Sequence, residues 1–145
     1  MRNFLIIFTA IFLLGLSSDS GSIRNAGVAQ RTDIISDGTT TDITPKFAII
    51  DAATSGDNTL VAAVSGKKIR VVSVVLIASA AVNVRFESGA SGTALTGQMN
   101  LTTNSGFAPG FIPIGHFETA TNTLLNLELS SANSVDGWIT YIEVD

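Results

Sequence analysis

The chain has 145 residues, no cysteine, 14% charged residues and a formal net charge of −4. That length suits one domain with a core of its own; the missing cysteines exclude disulfides, thiolate metal sites and cysteine nucleophiles. The acidic balance argues against nucleic acid as a partner, which requires clustered Lys and Arg.

Residues 1–17 stand apart from the rest. Arg2 supplies a positive start, residues 4–16 form an apolar run broken only by Thr9, Ala10 and Gly15, and small polar residues follow from Ser17 to Ser22. This is the layout of a secretory signal peptide cleaved after Ser17. As a helix the run reaches about 20 Å, short of the roughly 30 Å of bilayer hydrocarbon, so no stable membrane span is expected. A retained interfacial anchor and a hydrophobic arm buried in an assembly are the alternative readings. Residues 18–44 are polar and aperiodic, a linker or N-terminal arm. Pro45 biases Thr44 toward extended geometry and marks entry into a domain over 45–145.

Beyond Pro45, short apolar runs alternate with turn residues. Residues 46–50 and 59–64 predict strands around a turn at 54–58. Ser65-Gly66 then leads to a β-branched run at 69–78, with Ile69, Val71, Val75 and Ile77 on one face and Val72, Val74 and Leu76 on the other. Such a run reads as a central strand covered on both sides, and its β-branched content argues against a helix. Val82, Val84 and Phe86 alternate with Asn83, Arg85 and Glu87, a half-buried strand. After a loop at 88–92, extended pieces at 93–102, 107–114 and 116–119 are interrupted by Gly106, Pro109-Gly110 and Pro113; these prolines belong at an edge or in connections. Leu125, Leu127 and Leu129 alternate with Asn126 and Glu128. A turn near 133–137 leads to the last strand, with Trp138, Thr140, Ile142 and Val144 on one side and Ile139, Tyr141 and Glu143 on the other. The whole predicts an all-β, two-sheet β-sandwich, jelly-roll-like, with about eight strands.

No enzyme chemistry emerges. His116 is the single histidine, which rules out a multi-histidine zinc site within one chain, and it lacks both a G-x-S-x-G elbow and a marked aspartate partner. The strand-borne acids Glu87, Glu118, Glu128 and Glu143 are placed outward by alternation and read as solubilising charges rather than a glycosidase pair. Asp33, Asp37 and Asp42, and Asp51 and Asp57, supply hard oxygens for calcium but lack EF-hand spacing, and Asp-Gly commonly just makes turns. The basic cluster of Lys67, Lys68 and Arg70 reads as solvated charge at a hairpin. No phosphate-binding loop precedes a helix. The expectation is therefore no catalytic, cofactor or metal residue.

The aromatic residues are the candidates for contact. Trp138 and Tyr141 suit sugar stacking but point to opposite faces of one strand, so core or interface is the simpler reading. Phe107, Phe111 and Phe117 lie in the Gly/Pro-rich segment, as a packed loop core or a hydrophobic contact surface between subunits.

The segments at 46–51, 59–71, 82–89 and 93–97, with Phe117-Glu118-Thr119, Leu125-Asn126-Leu127 and the closing Tyr141-Ile142-Glu143-Val144, resemble a type of small β domain found in tailed-phage and prophage gene products. The likeness covers 45–145 and consists of strand and turn motifs without a catalytic signature. It implies a virion component, such as a head decoration or fibre-like protein, that self-associates or attaches to capsid proteins. The signal-like leader departs from that pattern, because phage particles assemble in the cytoplasm. A secreted module binding carbohydrate or a receptor is the rival expectation, and the localisation is accordingly virion or extracellular.

Overall fold

Ten β-strands and no helix run through residues 44–145, the part of the chain described by this computed structural model. The leader at 1–17 and the polar arm up to residue 43 lie outside the described residues. The strands are β1 (Lys46–Ala52), β2 (Gly56–Val61), β3 (Lys68–Ala78), β4 (Val82–Ser88), β5 (Thr93–Ala94), β6 (Met99–Leu101), β7 (Gly106–Phe107), β8 (Phe117–Glu118), β9 (Leu125–Leu129) and β10 (Val135–Val144). They form two antiparallel sheets. The first runs β1-β10-β3-β7, with β8 also on β3; the second runs β2-β9-β4-β5, with β6 also on β4.

The order has a simple logic. β1 pairs with β10, β2 with β9, β3 with β7 and β8, and β4 with β5 and β6. The domain is thus one long antiparallel ribbon, folded so that successive segments fall in opposite sheets, which is the jelly-roll arrangement. The ten segments fill eight places, because β5 and β6 share one and β7 and β8 another. Pro109 and Pro113, which cannot donate to a ladder, lie in the break between β7 and β8. That break stays on β3 through Ile112 N–H to Val72 C=O at 2.9 Å and His116 N–H to Val71 C=O at 2.7 Å.

The alternating strands bury their apolar faces as their patterns require. Val84 and Phe86 of β4 and Leu125, Leu127 and Leu129 of β9 are sealed between the sheets against Ile69, Val71, Leu76 and Ile139. Phe86 and Phe117 lie with ring centroids 4.9 Å apart. Each fully buried aliphatic or aromatic side chain contributes roughly 1.5–3 kcal/mol over an exposed one.

Three local expectations are corrected. In β3 the ladder to β10 pairs Ser73 with Thr140 and Val71 with Tyr141, leaving Val72 unopposed. This bulge reverses the alternation, because one extra residue turns every later side chain to the other face. Ile69 and Val71 therefore share the core with Val74, Leu76 and Ala78, while Val75 is half-buried and Ile77 exposed on the outer side. Val72 joins Ile142 and Val144 in a separate small cluster. Second, Gly56, Asp57 and Asn58 belong to β2 rather than to a turn. The turn is closed by a side chain instead: Asn58 Nδ2 donates to the carbonyls of Thr54 at 2.8 Å and Gly56 at 3.0 Å. Third, the turn at 64–67, with Gly66 at φ +74, carries the chain from β2 in one sheet to β3 in the other. Lys67, Lys68 and Arg70 thus sit at a crossing between sheets, not at a hairpin.

Candidate functional site

The outer face of the first sheet is built from three adjacent strands in strict register. Ile49 of β1 stands opposite Trp138 of β10, which stands opposite Val75 of β3. One row along, Phe47 faces Thr140 and Thr140 faces Ser73; on the other side, Asp51 faces Asp136 and Asp136 faces Ile77. Alternation turns all nine side chains away from the core, and the bulge at Val72 brings Val75 and Ile77 into this set. The face is apolar and wet: Phe47 is 71% exposed, Ile49 75%, Ile77 54% and Trp138 51%. Phe47 and Trp138 alone leave roughly 200–300 Å² of residue surface in water, and Ile49 and Ile77 enlarge this exposed apolar area.

Beside Trp138 the face dips into an open depression of about 390 Å³ floored by Val75 and Ile77 and rimmed by Ser79, Asn104 and Asp136. A second depression of about 290 Å³ shares Val75, Ile77 and Asn104. Gly137 allows β10 and β3 to approach here, since a Cβ on it would lie 2.0 Å from the Val75 carbonyl oxygen.

Of the five aromatic candidates, the structure places Trp138 and Phe111 at the surface, Tyr141 in the core, and Phe107 and Phe117 half-buried. Tyr141 is only 9% exposed, on the core side of β10. Phe107 and Phe117 pack against the core cluster. Phe111 stands exposed in the connection from β7 to β8, with Ile114 exposed nearby. Trp138 and the three phenylalanines therefore do not form one surface. The partners that do surround Trp138 (Phe47, Ile49 and Ile77) were not singled out in sequence. Residues 47–50 are apolar at four successive positions, a run that by pattern alone reads as covered on both faces; β1 instead lies at the sheet edge with Phe47 and Ile49 exposed.

Comparisons with protein-family models, curated proteins and solved structures give no match.

The outer face of the second sheet is polar and carries a hydrogen-bonded network. Glu87, expected as a solubilising surface acid, is completely buried despite pointing outward from the sheet. Its Oε1 accepts from Arg85, and its Oε2 accepts from Asn126 Nδ2 at 3.2 Å. Arg85 also pairs with Glu128. Asn126 Nδ2 donates in addition to Asp57 Oδ1 at 2.6 Å, and Asp57 receives the Ser91 backbone N–H and hydroxyl, each at 2.8 Å. The Ser91 hydrogen bonds, backbone first, together with that from Asn126 hold the Asp57 carboxyl below the usual carboxylate range. Asp57 is thus engaged by three protein donors, and Asp33, Asp37 and Asp42 lie outside the described residues. Among the described residues no group of three or more His, Cys, Asp or Glu is arranged to hold a metal.

His116 and the other strand glutamates are likewise engaged. His116 Nε2 lies 3.0 Å from the Gly110 carbonyl, tying the connection between β7 and β8 to itself. Glu118 accepts from Arg70 at 2.7 Å and Lys68 at 3.3 Å. Partial burial pushes its carboxyl up, but these two cations together outweigh that and hold it low. Lys67 meets Asp145 at 2.5 Å and Lys46 meets Glu143 at 2.6 Å. The basic cluster is a set of internal ion pairs.

Proposed function

We propose that this chain is a non-enzymatic structural protein that forms or decorates an assembly, such as a phage virion, through the outer face of its first sheet. The observation that carries the reading is the exposed patch of Phe47, Ile49, Trp138 and Ile77, drawn from three successive rows on three hydrogen-bonded strands. A rigid platform loses little freedom on docking, and its aromatic side chains are the type that anchors protein interfaces. In a self-associating form, light scattering finds an oligomer that the double substitution Phe47→Ser/Trp138→Ser dissociates. In a decorating form, the chain is monomeric alone, and the same substitution abolishes its co-sedimentation with the particle. A double variant that assembles and attaches as the unmodified chain does overturns the proposal.

A second reading, a carbohydrate-binding module, is favoured by one feature. The depression beside Trp138 pairs an exposed indole with hydrogen-bonding groups on Asp136, Asn104 and Ser79, the combination that stacks and orients a pyranose ring. Trp138 is the only tryptophan, so titration of its fluorescence with neutral oligosaccharides tests this directly; an emission unmoved at saturating sugar rejects it.

A further inference from the structure

The contact face carries an electrostatic asymmetry that selects among partners. Asp51 and Asp136 are direct cross-strand neighbours on this face, both exposed. Such pairs hold their Cβ atoms about 4.5–5.5 Å apart, and like charges in that position destabilise a sheet. Asp136 receives one neutral donor, the Ser134 hydroxyl at 2.6 Å. No cation among the described residues reaches either carboxylate. The cations of the domain are committed elsewhere. Lys46, Lys67, Lys68, Arg70 and Arg85, all the Lys and Arg of the described residues, are each ion-paired with another acid. Glu87, Glu118, Glu128 and Glu143 each meet a cation and Asp57 is held by three neutral hydrogen bonds, whereas this pair is left uncompensated beside an exposed apolar surface.

We infer that the outer face of β1, β10 and β3 binds a protein partner that presents an arginine or lysine flanked by apolar side chains. The cation sits between the Asp51 and Asp136 carboxylates. The flanking apolar groups cover Trp138, Ile49 and Ile77, which border that pair in the same and the adjacent row. An arginine fits best, since its planar fork spans two carboxylates and its stem lies along the Trp138 ring. Two copies of this domain stacked through the same face would bring four carboxylates together with no free cation from the described residues. The charge pattern therefore favours attachment to a different, basic protein surface over self-association. This inference rests on the reading of the face as a contact surface.

The test uses the full chain and a blocked five-residue peptide, leucine–serine–arginine–serine–leucine, whose extended form puts the arginine between two leucines on one side. The control carries glutamate in place of arginine. Binding is followed by the emission of Trp138. The arginine peptide gives a saturable shift that weakens with added salt, and the glutamate peptide binds at least about tenfold more weakly. Asp51→Asn/Asp136→Asn folds as the parent does, since it loses a repulsive pair and keeps an amide oxygen for the Ser134 hydroxyl, and it abolishes the preference. Asp51→Lys/Asp136→Lys inverts it. If both peptides bind the parent equally, or the Asn variant retains the preference, the inference fails while the contact face stands. If neither peptide moves Trp138 emission, the inference fails as well. The co-sedimentation of Phe47→Ser/Trp138→Ser then decides the contact face separately.

Discussion

Arg85 and Glu87, two residues apart on β4, are joined by two hydrogen bonds to a single oxygen: Nε at 2.9 Å and Nη2 at 2.6 Å both donate to Glu87 Oε1. The carboxylate is buried while the guanidinium reaches the surface and extends to Glu128 on the neighbouring strand. Glu87 thereby clamps β4 to β9 from the outside of the sheet. Glu87→Ala removes an acceptor from both Arg85 and the buried Asn126, and it should lower stability by about 2–3 kcal/mol in urea denaturation at pH 7. Glu87→Gln keeps the shape and should cost less.

Acid should weaken the domain through Asp57 and Glu118. Both carboxyls are held below their ordinary values in the folded state. A group depressed in this way binds fewer protons folded than unfolded, so its contribution is complete above the unfolded pKa and vanishes as the pH falls through the folded one. Stability is therefore expected to be flat from neutrality to about pH 5 and to decline below about pH 4. In Asp57→Asn the decline should be shallower, as measured by thermal melts across a pH series.

Phe86 is the largest fully buried side chain, and it lies against Phe117 at the seam between the sheets. Phe86→Ala should cost about 3–5 kcal/mol, since the surrounding strands cannot collapse onto the void. Phe117→Leu, at a half-buried position, should cost clearly less. Chemical denaturation of the two variants side by side gives the comparison.

Gly137 has φ +153 and no room for a side chain, because its Cβ would meet the backbone of Val75 on the adjacent strand. The obstacle is main chain rather than a flexible side chain, so β10 and β3 must part locally. Gly137→Ala should destabilise the domain by at least about 2 kcal/mol. Amide hydrogen exchange should locate the loosening at β3 and β10.

Much of the architecture was legible in local pattern. The Val82-Val84-Phe86 and Leu125-Leu127-Leu129 alternations point inward as their period demands, and the prolines fall in connections. What failed depended on partners distant in sequence. The bulge at Val72 is set by its pairing with β10, some seventy residues on (Thr140 and Tyr141 are the flanking partners), and no feature within 69–78 announces it. Alternation puts Trp138 on one face of the last strand with Thr140, but its cross-strand partners Ile49 and Val75, and which face is covered, depend on the rest of the fold. The burial of Glu87 goes with Asn126 from the neighbouring strand as well as Arg85 on its own, so a strand that reads as half-solvated hides a buried acid. The contact face is the hardest case, since its rows are drawn from β1, β10 and β3 and exist only once these strands are in register.

The pairing of the first strand with the last has a kinetic consequence. Lys46 is in register with Tyr141 and Ala52 with Val135, so the ladder that seats β1 cannot begin until the end of the domain has left the ribosome. Until then β1 and β3 both lack β10, and their unpaired backbone is open to other chains. Closure of so long a loop is entropically slow, which places this domain among slow, late folders. The vulnerable species in its life is the nascent chain, and a stop before β10 should give an aggregating fragment rather than a smaller domain.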